Sequence, residues 1–331
     1  MKPNLKVKIA LAALCLFAGL AFFRMSASLP RAGTKGYYET AYRGCVSGVA
    51  REDRDLLSGE FGIRAVFIAW QDPFPSQKLN SIADKGSLPM ITWEPYLKKS
   101  REQSLLPDIA SGAYDGLIKA FAAAARKFGK PLLLRWGHEM NGNWYSWSGL
   151  QNGHGVYIDA YRRVRGIFRE EGADNVYFVF SVNSDDVPSV KSNRFENYYP
   201  GADAVDVVGI DAYNWGELKL LRRKGPKRLL RRSYERAVAA FPDKPLMLSE
   251  IGSCESGAGK KAWLSEFYSV LAGNFPAIKA FVWFDAKKEC DWSVFLDGTT
   301  VPADGYYSNS PAALLKLLGE ENDKGGPSKT H

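Results

Sequence analysis

Glu139 and Glu250 are the residues of this 331-residue chain whose neighbourhoods best suit chemistry. Glu139 lies in the stretch 135–147, RWGHEMNGNWYSW, behind the apolar run 131–134 and ahead of an Asn-Gly turn and the aromatics Trp144, Tyr145 and Trp147. Glu250 lies 111 residues further on, in KPLMLSEIG at 244–252, again at the end of a proline-led apolar run. A glutamate taken alone is usually a solvated carboxylate. Several large aromatics beside a loop must instead form either core or a ligand surface. Breaking a glycosidic bond needs one carboxylic acid to protonate the leaving oxygen, a second carboxylate to attack or to activate water, and flat rings to hold the sugar faces. Two strand-end glutamates, the first of them among aromatics, meet that requirement.

The elements that must position them alternate along the chain. Apolar, β-rich runs predict strands over residues 45–49, 65–70, 89–93, 132–136, 176–181, 205–210, 246–249 and 280–284. Helical patterns fall between them at 114–128, 156–171, 233–241 and 260–271, with a short one near 77–85 and a last one at 310–318. Strands alternating with helices imply parallel βα units. Eight such units, with no glycine-rich phosphate loop after any strand, predict an α/β fold of one closed (β/α)8 TIM barrel and not an open nucleotide-binding sheet. Sites on such barrels form at the C-terminal ends of the strands. Trp70, Trp93, Glu94, Glu139, Asn183, Asp211, Tyr213, Glu250, Trp283 and Asp285 all sit at or just past predicted strand ends.

Composition sets the remaining bounds. With 46% hydrophobic and 24% charged residues, the chain can bury one large core. Lys2, Lys6 and Lys8 precede the 15-residue apolar run 9–23, followed by small residues at 26–28, so residues 1–28 read as a signal peptide or an uncleaved signal anchor. The expected product is exported, either secreted or periplasmic, and touches membrane only through residues 9–23. The catalytic domain is expected over 35–318 and a polar, disordered tail over 319–331. The net charge of +8 is concentrated: residues 1–28 carry four positive charges and RRKGPKRLLRR at 222–232 carries seven, leaving −3 elsewhere. The basic run reads as a solvated helix face whose Leu229 and Leu230 turn inward, and nucleic acid is not an expected partner. No His or Cys spacing suits a metal, and no cofactor is expected. Of Cys45, Cys254 and Cys290, the last two fall in loops after consecutive late strands and form the expected disulfide.

HEMNGNWYSW at 138–147, GIDAYNW at 209–215 and SEIG at 249–252 together resemble glycoside hydrolase family 26, over about residues 40–315. These are retaining (β/α)8 glycanases of the β-mannanase and β-glucanase type. The resemblance implies Glu139 as general acid/base and Glu250 as nucleophile, with carboxyl groups roughly 5–5.5 Å apart. It further implies that His138 supports the site, that Tyr213 hydrogen-bonds the nucleophile, and that Trp144 and Trp283 line sugar subsites. From the residues themselves, Arg135 is expected to hold Glu250 or other acids inside the barrel. Trp93, Glu94 and Asn183 are candidate substrate or supporting groups. Trp136 is expected in barrel packing, Trp263 on an outer helix, and Asp285 beside Lys287 or Lys288. The expected activity is endo-acting cleavage of a β-1,4-linked polysaccharide, mixed-linkage β-glucan or β-mannan, by a monomer. PMITWEPY at 89–96 departs from the mannanase pattern and leans towards glucan. Glycan binding, exopolysaccharide assembly and transglycosylation on the same barrel are the alternatives.

Overall fold

The computed structural model describes residues 45–50, 61–216, 218, 224–294 and 306–319. The signal segment, the first two residues of the basic run and the tail beyond Gly319 lie outside them. Eight parallel strands follow in order: β1 (Cys45–Ala50), β2 (Ile63–Ala69), β3 (Leu88–Glu94), β4 (Leu132–Trp136), β5 (Val176–Asn183), β6 (Val207–Asn214), β7 (Leu246–Ser253) and β8 (Ile278–Phe284). Each pairs with its successor, and β1 pairs with both β8 and β2, so the sheet closes as a (β/α)8 TIM barrel. A two-residue strand, β9 (Tyr307–Ser308), adds to β1 and was not foreseen. Among the described residues no helix is long and apolar enough to cross a membrane.

The helices are α1 (Ser76–Asp84), α2 (Leu106–Ser111), α3 (Asp115–Phe128), α4 (Gly149–Asn152), α5 (His154–Glu170), α6 (Pro226–Ala240), α7 (Gly257–Asn274) and α8 (Ala312–Leu318). Their ends follow local chemistry. In α3, Asp115 opens the first turn, Arg126 and Lys127 occupy the last, and Gly129 closes it at φ 68°, matching the helix dipole and the left-handed C-terminal turn. α6 begins with Pro226 in its first turn, buries Leu229 and Leu230 and exposes Arg228, Arg231 and Arg232, as a solvated basic face requires.

Because helices cover the sheet, strand side chains alternate between two apolar environments. Val46, Ile63, Ala65, Leu88, Met90, Leu133, Val179, Val207, Met247, Ala280 and Val282 fill the barrel. The outward set packs under the helices and includes the fully buried Trp70, Trp93, Trp136 and Trp283. Cys254 and Cys290 form the expected disulfide across 6.0 Å between Cα atoms, tying the loops after β7 and β8, while Cys45 is free and buried.

Candidate active site

Arg135 sits on β4, pointing into the barrel with no solvent exposure. Its Nε donates to Ser181 Oγ at 3.0 Å, Nη1 to Thr92 Oγ1 at 3.1 Å and to Glu250 Oε1 at 2.6 Å, and Nη2 to Asp211 Oδ2 at 2.5 Å. This polar layer lies directly above the apolar barrel filling. Burial opposes the guanidinium charge, but Asp211 and Glu250 more than offset it and hold Arg135 protonated. Burial raises the Asp211 carboxyl to about 7 against the pull of Arg135, with the like charge of Glu250 adding to the rise. Asp211 was noted only as a strand-end residue. Its place two positions before Tyr213 on one strand face was the available signal.

Past β4 the chain turns sharply. Gly137 adopts φ 56° and Glu139 φ 54°, the one non-glycine residue with positive φ among the described residues. Such a conformation costs on the order of 1–3 kcal/mol and persists only where surroundings over-determine it. Here Glu139 N–H donates to Ser181 O at 2.9 Å, Glu139 O accepts from Gly142 N–H at 2.8 Å, and Trp147 Nε1 donates to His138 O at 2.7 Å. Asn141 bridges to β5, donating to Asn183 O and accepting from Asn183 N–H, each at 2.8 Å. The turn aims the Glu139 side chain into the barrel mouth, where Trp144 Nε1 donates to its Oε2 at 2.8 Å. Trp144 is itself 46% exposed, an open indole plate beside a carboxyl group. Burial pushes the Glu139 carboxyl well above the usual carboxylate range, and the charges of Asp211 and Glu250 push it further.

Glu250 reaches the same mouth through an irregularity. The β6–β7 register runs Ile210 to Leu248 and then Asp211 to Glu250, leaving Ser249 as the extra residue. A bulge re-aims the following side chain. Glu250 thereby accepts from Arg135 on one oxygen and from the Tyr213 hydroxyl on the other. Tyr213 is wedged edge-on against Trp292 and Phe284, with ring centroids 4.9 and 5.8 Å away.

His138 is buried beside the pair. Its Nε2 lies 3.1 Å from Tyr145 Oη, and Tyr145 stacks on Trp147 at 4.1 Å. Burial first, then the charges of Arg135 and Lys288, hold the imidazole well below its ordinary value and so neutral at pH 7. Glu94 ends β3 half-buried near this group. Burial lifts it to about 7, with Arg135 opposing and Glu250 reinforcing.

Two expectations need correction. Trp93 and Trp283 do not reach the mouth, because on β3 and β8 they face the helices. Trp93 stacks on Phe121 at 4.1 Å and on Trp70 at 4.3 Å; Trp283 packs on Phe267 and donates its Nε1 to Tyr268 Oη at 3.3 Å. Trp283→Ala is therefore expected to cost about 3–5 kcal/mol of stability, read by denaturant unfolding, with KM within about twofold of wild type. A large KM rise at unchanged stability would return the indole to the site. Asp285 accepts from Val294 N–H at 3.0 Å, while Lys287 pairs with Asp291 and Lys288 lies over the Phe284 ring. Asn183 stands on the rim, its amide donating to Asp185 O at 2.6 Å rather than to either glutamate. Trp136 is barrel packing against Tyr157 and Tyr161, and Trp263 lies on α7, both as expected.

Comparison with known proteins agrees with this geometry. Residues 103–221, which contain Glu139, Trp144, Asp211 and Tyr213, match the sequence model of Glycosyl hydrolase family 26. The chain is 35% identical over 249 residues to Endoglucanase H of Acetivibrio thermocellus, covering 73% of this chain and 27% of that protein. It is 29% identical over 201 residues to mannan endo-1,4-beta-mannosidase A and B of Caldalkalibacillus mannanilyticus, covering 56% and 36%. The chain thus spans about a quarter to a third of the length of these relatives. In fold it is similar to a GH26 beta-mannanase from Bacteroides ovatus, with TM-score 0.60, 15% identity, and 89% and 96% of the two chains covered. A modular endo-beta-1,4-mannanase from Cellulomonas fimi gives TM-score 0.59 at 15% identity, covering 80% and 70%. With the HEMN, GIDAYNW and SEIG blocks all gathered at one barrel mouth, the chain belongs to glycosyl hydrolase family 26.

Proposed function

We propose that this chain is an exported, retaining, endo-acting glycoside hydrolase that cleaves β-1,4-linked polysaccharide by double displacement. The observation that carries the reading is the opposed surroundings of two carboxyl groups at one mouth. Glu139, with burial and two neighbouring acids favouring its proton, is set up as the general acid. Glu250, receiving Arg135 and Tyr213, is set up as the carboxylate nucleophile. In the first step Glu250 attacks C1 while Glu139 protonates the departing oxygen. In the second, Glu139, now an anion, takes a proton from the water that releases the sugar from Glu250.

For the substrate we favour mixed-linkage β-glucan over β-mannan. The support is the 35% identity to an endoglucanase and the PMITWEPY segment that ends β3. Residues 1–28 direct export as a signal peptide or anchor, and the enzyme works as a monomer, secreted or periplasmic.

The test is a panel of mixed-linkage β-glucan, β-mannan, cellulose and xylan with wild type and Glu139→Ala, with the first-formed anomer followed by NMR. Net retention supports the reading, and an inverted first product would sink it. A second outcome concerns pH. Ionisation of Glu139 removes the acid, so kcat/KM on substrates with poor leaving groups should fall on the alkaline side as pH rises through its raised pKa. In Glu139→Ala that limb should vanish, and aryl glycosides with activated leaving groups should retain the glycosylation step. An alkaline limb that survives the substitution would assign the acid elsewhere.

A further inference from the structure

Beside the catalytic group lies a recess that the proposed reaction does not use. Ala50, Phe67, Lys78, Phe284, Ala286 and Lys288 line it, at the ends of β1, β2 and β8, and it offers about 40 Å³. That is room for a few water-sized groups and so for a carboxylate, but not for a sugar ring. Its walls are continuous with the site. Phe67 makes an edge contact with His138 at 6.5 Å, and Phe284 meets Phe67 at 6.3 Å and Tyr213 at 5.8 Å. Lys288 Nζ lies 5.0 Å from the centroid of Phe284, and its charge reaches both His138 and Glu94.

The charges there are unmatched. Elsewhere on the same rim Lys98 pairs with Asp72, Lys224 with Asp185 and Lys287 with Asp291. Among the described residues Lys78 and Lys288 carry no ion pair, although both are exposed and share one recess. Two ammonium groups held together repel unless an anion lies between them. The apolar walls of Phe67 and Phe284 offer no polar partner of their own, so the lysines are the groups that would receive a negative charge projecting from a sugar outside the recess.

We propose that Lys78 and Lys288 form a subsite for a hexuronate residue, so that a β-glucan-type chain bearing such a residue is bound in preference to the same chain without it. The proposal rests on the glycosidase reading for its location but is tested by binding. In full-length Glu250→Gln, a cello-oligosaccharide carrying one glucuronate residue and its neutral counterpart are titrated by calorimetry at low salt. The acidic oligosaccharide is expected to bind about tenfold more tightly, the scale of two charge-assisted contacts at a partly exposed site. The preference should fall to near unity in Lys78→Ala/Lys288→Ala, persist in Lys288→Arg, and shrink at high salt. Equal binding of the two oligosaccharides, binding of neither, or a preference that survives the double substitution would overturn it. A Lys78→Gln/Lys288→Gln variant, checked by its melting temperature, repeats the comparison should the alanines unfold. Wild type that binds the acidic oligosaccharide with this preference yet cleaves nothing would refute the hydrolase and leave the subsite standing.

Discussion

Glu250→Ala is expected to lower kcat on β-glucan by on the order of 10⁴-fold to 10⁶-fold, the scale on which removing a covalent nucleophile acts. Alanine in place of Glu250 leaves a gap where the carboxylate stood, and in the proposed mechanism that gap lies on the face of the sugar opposite Glu139. A small anion such as azide can enter that space. With an activated aryl β-glycoside it should then attack C1 once and yield the α-glycosyl azide, because a single displacement inverts. In Glu139→Ala the same anion should attack the glycosyl-enzyme and yield the β-azide. The two configurations separate the roles of the glutamates in a way that loss of activity alone does not. A β-azide from Glu250→Ala, or activity within tenfold of wild type, would place the nucleophile on another residue.

Much of this site was legible because βα barrels bring strand ends together irrespective of their distance in sequence. Apolar runs marked every barrel strand, and so Glu139 and Glu250 could be paired across 111 residues. Arg135 followed from its place on such a strand, whereas His138, Trp144 and Tyr213 were singled out by the family resemblance. What the runs do not reveal is which way a strand-end side chain faces. In FVWF at the end of β8 both faces are apolar, so nothing in the pattern shows that Val282 and Phe284 point inward and Trp283 outward. The same ambiguity hid the outward direction of Trp93. The bulge at Ser249 is invisible for a different reason: strict alternation would send Glu250 the opposite way from Ser249, and only the register with β6 shows otherwise. Helix α6 begins seven residues before the stretch expected at 233–241, joining that stretch to the basic residues already read as a helix face, with Pro226 opening its first turn. The short helix α2 and the two-residue β9 are too brief to carry a period.

Arg135→Met is expected to destabilise the fold by about 3–5 kcal/mol, because it leaves two buried acids without their shared cation. Methionine keeps much of the volume, so the loss is electrostatic more than steric. Asp211 and Glu250 both bond to this guanidinium, and Ser181 and Thr92 lose their donor as well. The sign of the pH dependence follows from Asp211. Its folded pKa already stands above that of an exposed carboxyl, and removing Arg135 removes the influence that lowers it. A carboxyl raised in the folded state contributes stability that is complete below its unfolded value and is lost as pH rises through its folded value. The deficit of Arg135→Met should therefore be smallest near pH 4 to 5, about the unfolded carboxyl range, and should widen through neutral pH. Adding Asp211→Asn should recover part of the neutral-pH loss, since a neutral amide needs no counter-ion in a buried site. Thermal unfolding of the single and double variants across pH measures this directly. A single variant that melts with wild type at neutral pH, or a deficit that narrows as pH rises, would show that Arg135 does not hold the two acids of this barrel in place.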